Sequence, residues 1–210
     1  MKLFQSMTIL SCLLWSAVLL ANSDSSTMSD PSQSSLGLYV NAKEAYQMLQ
    51  QDSRAVLVDV RDPVEVKFTG FASPTKIHVP WLLTDTSQLH VGQQTWPMQP
   101  NLDFDQQLLS RLQQLGVQKD DAIILICRSG ATRSAPAVDR LASYGYSNVW
   151  SVTDGFEGNT LQEGPSKGVR AVDGWRNSGL PWSYRIPAEV AWTAPITETT
   201  NTKTAKENHP

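Results

Sequence analysis

Three short, largely apolar runs constrain the fold of this chain more than any other feature of its sequence. They are AVLVDV (55–60), AIILI (122–126) and NVWSV (148–152), and all three contain β-branched residues. A strand with one solvent-facing side alternates apolar with polar residues, whereas these runs are typical of strands that are buried on both faces. A sheet built from such strands needs a layer of structure on each side.

Helix signals lie between the apolar runs. The segment NAKEAYQMLQ (41–50) begins with Asn41 three residues before Glu44, which is the spacing of a capping box. The other predicted elements are helices over 62–68, 102–116 and 133–145 and a strand over 76–80. Pro136 fits the last helix only if it lies in the first turn. This alternation predicts an α/β domain with a mainly parallel central sheet and helices on both faces.

Two polar segments set the predicted limits of this domain. Residues 24–36 are rich in serine and nearly devoid of bulky apolar side chains, which is typical of a disordered linker. Residues 187–210 end in TETTNTKTAKENHP, a stretch too polar to pack, and are predicted to form a flexible tail. The folded domain is therefore predicted to span 37–186.

The first 23 residues have the pattern of a signal peptide. Lys2 precedes an apolar stretch over 7–20, and small residues follow at Ala21 and Ser23. We predict cleavage after Ser23, with Ala21 as the alternative site. The apolar stretch is shorter than the roughly 20 residues that span a bilayer, so we expect no membrane span after processing. The expected location is therefore outside the cytoplasm, in the periplasm.

Charge and cysteine content narrow the classes of function. The formal net charge is −3, which leaves no basic surplus to bind the phosphates of nucleic acid. Signal cleavage would remove Cys12 and leave Cys127 as a single thiol, which cannot form an internal disulfide. In an oxidising compartment a single thiol indicates a chemical role. One cysteine and three scattered histidines do not have the spacing of metal ligands, so we expect no metal.

Cys127 directly follows the predicted strand over 122–126 and opens the segment CRSGATRS (127–134). Ligands of parallel sheets bind beyond the carboxyl ends of the strands. A tight loop that leads into a helix points its backbone N–H groups inward, which binds anions and lowers the pKa of a cysteine. We therefore predict Cys127 as the catalytic nucleophile. The predicted substrate-binding residues are Arg128, Ser129, Gly130, Ala131, Thr132 and Arg133.

Three elements in order carry a resemblance to a known family. The segment 127–156, CRSGATRSAPAVDRLASYGYSNVWSVTDGF, resembles the active-site half of a rhodanese domain. AVLVDVRDPVEV (55–66) is similar to the family's Asp-x-Arg-x-x-x-Glu element, and DGWRNSGLPWSY (173–184) is similar to its usual ending. The resemblance implies a rhodanese-like α/β fold. It also implies sulfurtransferase activity without a metal or an organic cofactor.

The resemblance further implies a reaction and its partners. Cys127 would take sulfane sulfur from a small anionic donor such as thiosulfate and carry it as a persulfide. A thiol, sulfite or cyanide would accept the sulfur, or a protein would do so. Asp59 and Arg61 are expected to support the structure rather than to take part in the chemistry. Two longer segments, 81–101 and 157–172, depart from the family pattern.

Two alternatives to this function stay open at the level of sequence. Cys127 and Arg133 are also spaced as Cys-x5-Arg, which is the pattern of cysteine phosphatases and of related enzymes that act on phosphate or arsenate. We favour a six-residue loop, with Arg133 as the first helical residue, over this seven-residue reading. The second alternative is a periplasmic sulfur carrier or partner-binding module with little turnover of its own.

Overall fold

The computed structural model describes residues 30–195. Within this range the strands are β1 (Tyr39–Val40), β2 (Val56–Asp59), β3 (Phe71–Ala72), β4 (Thr75–His78), β5 (Leu82–Thr84), β6 (Met98–Pro100), β7 (Ile123–Ile126), β8 (Val149–Val152) and β9 (Trp182–Ser183). The helices are α1 (Ala42–Gln51), α2 (Pro63–Thr69), α3 (Phe104–Gln114) and α4 (Ser134–Ser143), and a short 3-10 helix covers Arg176–Ser178. None of the helices in the described range has the length and apolar character needed to cross a membrane.

Five of the strands form the central sheet, in the order β1-β8-β7-β2-β4. Every neighbouring pair in this sheet is parallel, which confirms the predicted mainly parallel sheet. Asp59, the last residue of β2, pairs in register with Ile126, the last residue of β7. The carboxyl ends of these two central strands therefore meet at the same edge of the sheet.

Apolar clusters cover both faces of the sheet and confirm the predicted two layers of helices. On one face, Val58 and Leu125 pack in a cluster with buried side chains of α3 and α4. On the other face, Leu57 and Ile124 pack with alanines of α1 and with Trp175. Every residue of β2 and β7 is buried, which is the physical reason that their sequences are continuous apolar runs.

The start of α1 has the predicted capping chemistry. Asn41 and Glu44 form the capping box of α1. Asp62 caps α2, which begins with Pro63 and has a second capping box. Helix α4 begins at Ser134, so Pro136 lies in its first turn, where a proline N–H is not needed.

The packed region extends beyond the predicted limits of 37 and 186. In the predicted linker, the backbone N–H and the hydroxyl of Ser35 donate to the carboxylate of Asp139 on α4, at 2.6 and 2.7 Å. Leu36 packs against the core cluster of the same face. The predicted signal peptide, linker residues 24–29 and tail residues 196–210 lie outside the described residues.

Residues 186–192 of the chain, here called the C-terminal strap, lie along the edge strand β4. Val190 is buried in a small cluster with Val66 and Phe71, and its carbonyl accepts from the backbone N–H of His78 at 3.3 Å. The Trp192 backbone N–H donates to His78 Nδ1 at 3.4 Å. The strap is ordered because its apolar side chains fit sites on the domain surface, and Glu189 is its only charged residue.

A fully buried ion pair joins the end of β2 to the end of α2. Arg61 Nε donates to both carboxylate oxygens of Asp59, at 2.9 and 3.0 Å. The same guanidinium donates to Thr69 Oγ1 at 2.8 Å and to the Gly70 carbonyl at 2.9 Å. It also lies 4.0 Å from the centroid of the Phe156 ring. Burial raises the pKa of Asp59, but the charge and the hydrogen bonds of Arg61, together with the charge of His78, outweigh burial and lower it, so the carboxylate stays charged.

The two longer segments that the sequence analysis singled out form hairpin-like extensions. Strands β5 and β6 pair antiparallel within 81–101. The backbone N–H of Thr84 donates to Asp62 Oδ2 at 2.6 Å, which fixes the base of this hairpin to the start of α2. Within 157–172, Thr160 and Arg170 form an antiparallel bridge.

Replacing Arg61 with methionine should strongly destabilise the fold, because Asp59 would be left in a buried site without a partner, where either staying charged or taking up a proton costs free energy at neutral pH. We expect the free energy of unfolding at neutral pH to fall by about 3–5 kcal/mol, measured by urea denaturation. The matched control is Arg140→Met, which removes the half-exposed pair with Asp105 and should cost no more than about 1 kcal/mol. Equal losses in the two variants would contradict the structural role of Arg61.

His78 should make stability depend on pH in the mildly acidic range. Burial lowers the pKa of His78 from its ordinary value of 6.5 and outweighs the attraction of Asp59. The unfolded chain therefore binds a proton more readily than the folded one. The contribution of neutral His78 is fully present above pH 6.5 and is lost as the pH falls below it. Urea unfolding between pH 7 and pH 5 should show this slope in the parent and in His90→Gln, and a weaker slope in His78→Gln.

Candidate active site

Cys127 follows β7 directly and lies at the carboxyl edge of the sheet, with 1% of its surface exposed. Its Sγ is 3.5 Å from the hydroxyl of Ser134, the first residue of α4. Burial raises the pKa of the Cys127 thiol. The Ser134 hydroxyl, the charge of Arg133 and the backbone N–H groups of Ser134 and Ser129 outweigh burial, so the pKa is lowered overall. The site therefore favours an anionic sulfur.

Residues 153–158, here called the backing segment, bind the loop that follows Cys127 through backbone hydrogen bonds. The backbone N–H of Phe156 donates to the Cys127 carbonyl at 2.8 Å, and that of Glu157 donates to the Arg128 carbonyl at 2.9 Å. These bonds engage the carbonyl groups at the start of the loop. The backbone N–H groups of Ser129 and Ser134 are directed at the sulfur.

Two glycines allow this close approach of backbone to backbone. A Cβ atom on Gly130 would lie 2.0 Å from the Thr153 carbonyl oxygen. A Cβ atom on Gly155 would lie 2.6 Å from the backbone nitrogen of Ser129. Both glycines also have positive φ angles, of 72° and 61°, which residues with side chains rarely adopt. The sequence analysis named Gly130 as a loop residue and did not identify Gly155.

Arg133 is the N-cap of α4, so the helix begins at Ser134, one residue later than predicted. Its guanidinium donates to both carboxylate oxygens of Glu65 on α2, with Nη2 at 2.9 Å from Oε1. Glu65 also accepts from the backbone N–H of Asp62 at 3.1 Å, within the capping box of α2. Burial lowers the pKa of Arg133, but the hydrogen bonds and charge of Glu65, together with the charges of Cys127 and Asp59, outweigh burial and raise it. Arg133 is thus a charged, paired residue beside the loop.

Arg128 is also paired with a carboxylate. Its Nε donates to Glu157 Oε2 at 2.7 Å, and its side chain is half exposed. Glu157 is buried and accepts a second bond, from Arg176 Nη2 at 3.2 Å. Each arginine of the loop therefore has a carboxylate partner from another element. In the rest of the predicted loop, Gly130 is buried, Ser129 is partly buried, and Ala131 and Thr132 are exposed.

Four polar residues near Cys127 were not assigned a role by the sequence analysis. They are Glu65, Ser134, Ser151 and Glu157. Ser151 lies on β8, and its hydroxyl is 2.8 Å from that of Ser134. A serine within a strand that is otherwise apolar is the one sequence signal that could have identified Ser151, because buried polar groups need partners.

Asp59 and Arg61, the remaining residues named by the sequence analysis, form a structural pair. The Asp59–Arg61 pair binds the end of α2 and stacks on Phe156 of the backing segment. Within residues 30–195, no three side chains of histidine, cysteine, aspartate or glutamate are grouped so that they could hold a metal ion. The chemistry available at the site is that of an anionic sulfur next to the N-terminus of a helix and a set of backbone N–H groups.

Comparison with known proteins identifies this arrangement. The sequence model of a family described as "Rhodanese-like domain" matches residues 41–160. The uncharacterized protein RP600 of Rickettsia prowazekii is 32% identical over 141 residues, which are 67% of this chain and 93% of that protein. Its homologue from Rickettsia rickettsii, also uncharacterized, is 33% identical over 142 residues, with the same coverage of 67% and 93%.

A solved structure agrees with the sequence comparison. The crystal structure of Rv0390 from M. tuberculosis is similar at a TM-score of 0.52 and 30% sequence identity. The similarity covers 70% of this chain and 97% of that one. The matched range includes the loop after β7 and the backing segment after β8. The chain therefore belongs to the family of proteins with a rhodanese-like domain.

Proposed function

We propose that this protein is a sulfurtransferase that carries sulfur as a persulfide on Cys127. The Cys127 thiolate attacks the outer sulfur of a donor such as thiosulfate. A new S–S bond forms on Cys127, the donor's S–S bond breaks, and sulfite leaves with the electron pair. A thiol, sulfite or cyanide then attacks the outer sulfur of the persulfide and leaves Cys127 as a thiolate again.

The observation that carries this proposal is the environment of the Cys127 sulfur. It faces the Ser134 hydroxyl and the backbone N–H groups of Ser129 and Ser134, which together with the charge of Arg133 lower its pKa in spite of burial. A thiolate is the reactive form of cysteine in sulfur transfer. The same fixed N–H groups, with the N-terminus of α4, would stabilise negative charge on the donor and on the persulfide. Membership of the rhodanese-like family supports the same chemistry.

The pairing of Arg133 argues against the phosphatase alternative. In a phosphate-binding loop an arginine needs free N–H groups that can bind the phosphate oxygens in a bidentate manner. Here Nη1 and Nη2 of Arg133 both donate to Glu65. A phosphate would have to use the remaining N–H groups of Arg133 or break this largely buried pair, which would leave the Glu65 carboxylate without its partner.

We also propose that the protein acts outside the cytoplasm, after export and cleavage of its N-terminus. The support is the sequence of residues 1–23, with Lys2, a short apolar stretch and small residues at the cleavage site. Export would leave Cys127 as the single thiol of the protein, so a sulfur bound there could not be lost to a second cysteine of the same chain.

Incubation with thiosulfate should add one sulfur atom to Cys127. We expect the intact mass of the protein to increase by one sulfur, and cyanide to remove this sulfur as thiocyanate. Cys127→Ser should show no increase, whereas Ser143→Ala, at an exposed position of α4, should gain sulfur like the parent and serves as the control. Parent protein that gains no sulfur but hydrolyses an aryl phosphate would overturn the proposal in favour of the phosphatase. A persulfide that resists cyanide and small thiols would instead identify a carrier.

Expression of the full chain in a Gram-negative host should yield a shortened protein in the periplasmic fraction. Cleavage after Ser23 predicts the intact mass of a chain that begins at Asp24. The control is Leu13→Arg, which places a charge in the apolar stretch and should leave full-length protein in the cytoplasm. Full-length parent protein in the cytoplasm would contradict export.

A further inference from the structure

Two buried serines connect β8 to the sulfur of Cys127. Ser151 is 1% exposed and Ser134 is fully buried. The Ser151 hydroxyl oxygen is 2.8 Å from that of Ser134, which is in turn 3.5 Å from Cys127 Sγ. Ser151 pairs in register with Leu125, two residues before the cysteine. The reaction proposed above assigns no role to Ser151.

The direction of these hydrogen bonds follows from the number of hydrogens available. Each serine hydroxyl has one hydrogen to donate. Among the described residues, the Ser151 hydroxyl has one hydrogen-bond partner, the hydroxyl of Ser134. If Ser134 donated to Ser151, the hydrogen of Ser151 would be buried without an acceptor, which is costly. Ser151 therefore donates to Ser134, and the hydrogen of Ser134 is left for Cys127 Sγ.

We propose that Ser151 is a positioning residue, which turns the Ser134 hydroxyl toward Cys127 Sγ and so favours the anionic form of this sulfur. A thiolate accepts a hydrogen bond from a hydroxyl more strongly than a neutral thiol does. The inference rests on the proposed function in one respect, because it is the thiolate of Cys127 that attacks the donor. Ser151 itself touches neither the donor nor the sulfur.

The hydrogen bond from Ser134 should matter most in the first half of the reaction, in which sulfur is loaded onto Cys127. In the free enzyme the negative charge is on Cys127 Sγ, next to Ser134. In the persulfide the charge has moved to the outer sulfur, and Sγ is a neutral atom between two bonds. Loss of the Ser151 hydroxyl should therefore slow sulfur loading at neutral pH and have a smaller effect on transfer to the acceptor.

The experiment compares Ser151→Thr with Ser151→Val in a Cys12→Ser background, so that Cys127 is the only thiol. Threonine and valine have nearly the same shape, but only threonine keeps a hydroxyl donor, and both are favourable in a strand. The measurement is the rate of Cys127 alkylation by iodoacetamide as a function of pH, with circular dichroism as the test of folding. Ser151→Ala, which adds no bulk, is measured alongside them.

We expect the midpoint of the pH dependence of alkylation to be the same in Ser151→Thr as in the parent. In Ser151→Val we expect this midpoint to be higher by about half to one pH unit. Ser134→Ala should raise it by about one unit or more, because the bond to the sulfur itself is lost. At high pH, where every variant is a thiolate, the alkylation rates should converge. If Ser151 had a purely structural role, its replacement would not shift the midpoint and at the same time leave the alkylation rate at high pH unchanged.

Two results would overturn the proposal. One is an equal midpoint for Ser151→Thr and Ser151→Val. The other is a midpoint of Ser151→Ala equal to that of the parent. Ser143→Ala, at an exposed position of α4, is the control and should titrate like the parent. The titration uses no sulfur donor, so a failure of thiosulfate loading would refute the proposed function without refuting the positioning role of Ser151.

Discussion

The close contact between two stretches of backbone determines the shape of the loop at Cys127. Any side chain at Gly130 or Gly155 would place its Cβ within 2.0–2.6 Å of the opposing backbone, which folded proteins do not allow. Because the backing segment also binds the carbonyls of Cys127 and Arg128, the loop cannot turn those groups toward the sulfur. The position of the thiol and the orientation of the N–H groups near it both depend on this contact.

Charged pairs join the elements that surround the loop. Glu65 connects α2 to Arg133, Glu157 connects the backing segment to Arg128 and Arg176, and Asp59 and Arg61 connect β2 to the end of α2. Pairing the arginines leaves the hydrogen-bonding dipoles of the backbone and of Ser134 as the groups that contact the sulfur. Dipoles fixed by the fold need no rearrangement when charge moves onto or off the sulfur, which is a general advantage in catalysis.

Local patterns in the sequence predicted the local features of the structure. The apolar runs predicted the strands buried on both faces, and the Asn41–Glu44 spacing predicted the capping box of α1. The missed features all depend on partners far apart in the chain: Glu65 and Arg133 are 68 residues apart, and Ser134 and Ser151 are 17 apart. A polar residue in a sequence does not show which distant group it will meet. The C-terminal strap was missed for another reason: it was grouped with the polar residues 197–210, although the strap itself is mostly apolar and is anchored by Val190.

The C-terminal strap has a consequence for how copies of the protein behave toward one another. An edge strand exposes unpaired N–H and C=O groups that can recruit a strand from another molecule. At β4 the outward N–H of His78 is already occupied by the Val190 carbonyl, and Trp192 lies beside it with its own bond to the imidazole. The strap therefore occupies part of the free edge of β4, and covering an edge strand with another segment is one way in which proteins limit strand pairing between molecules.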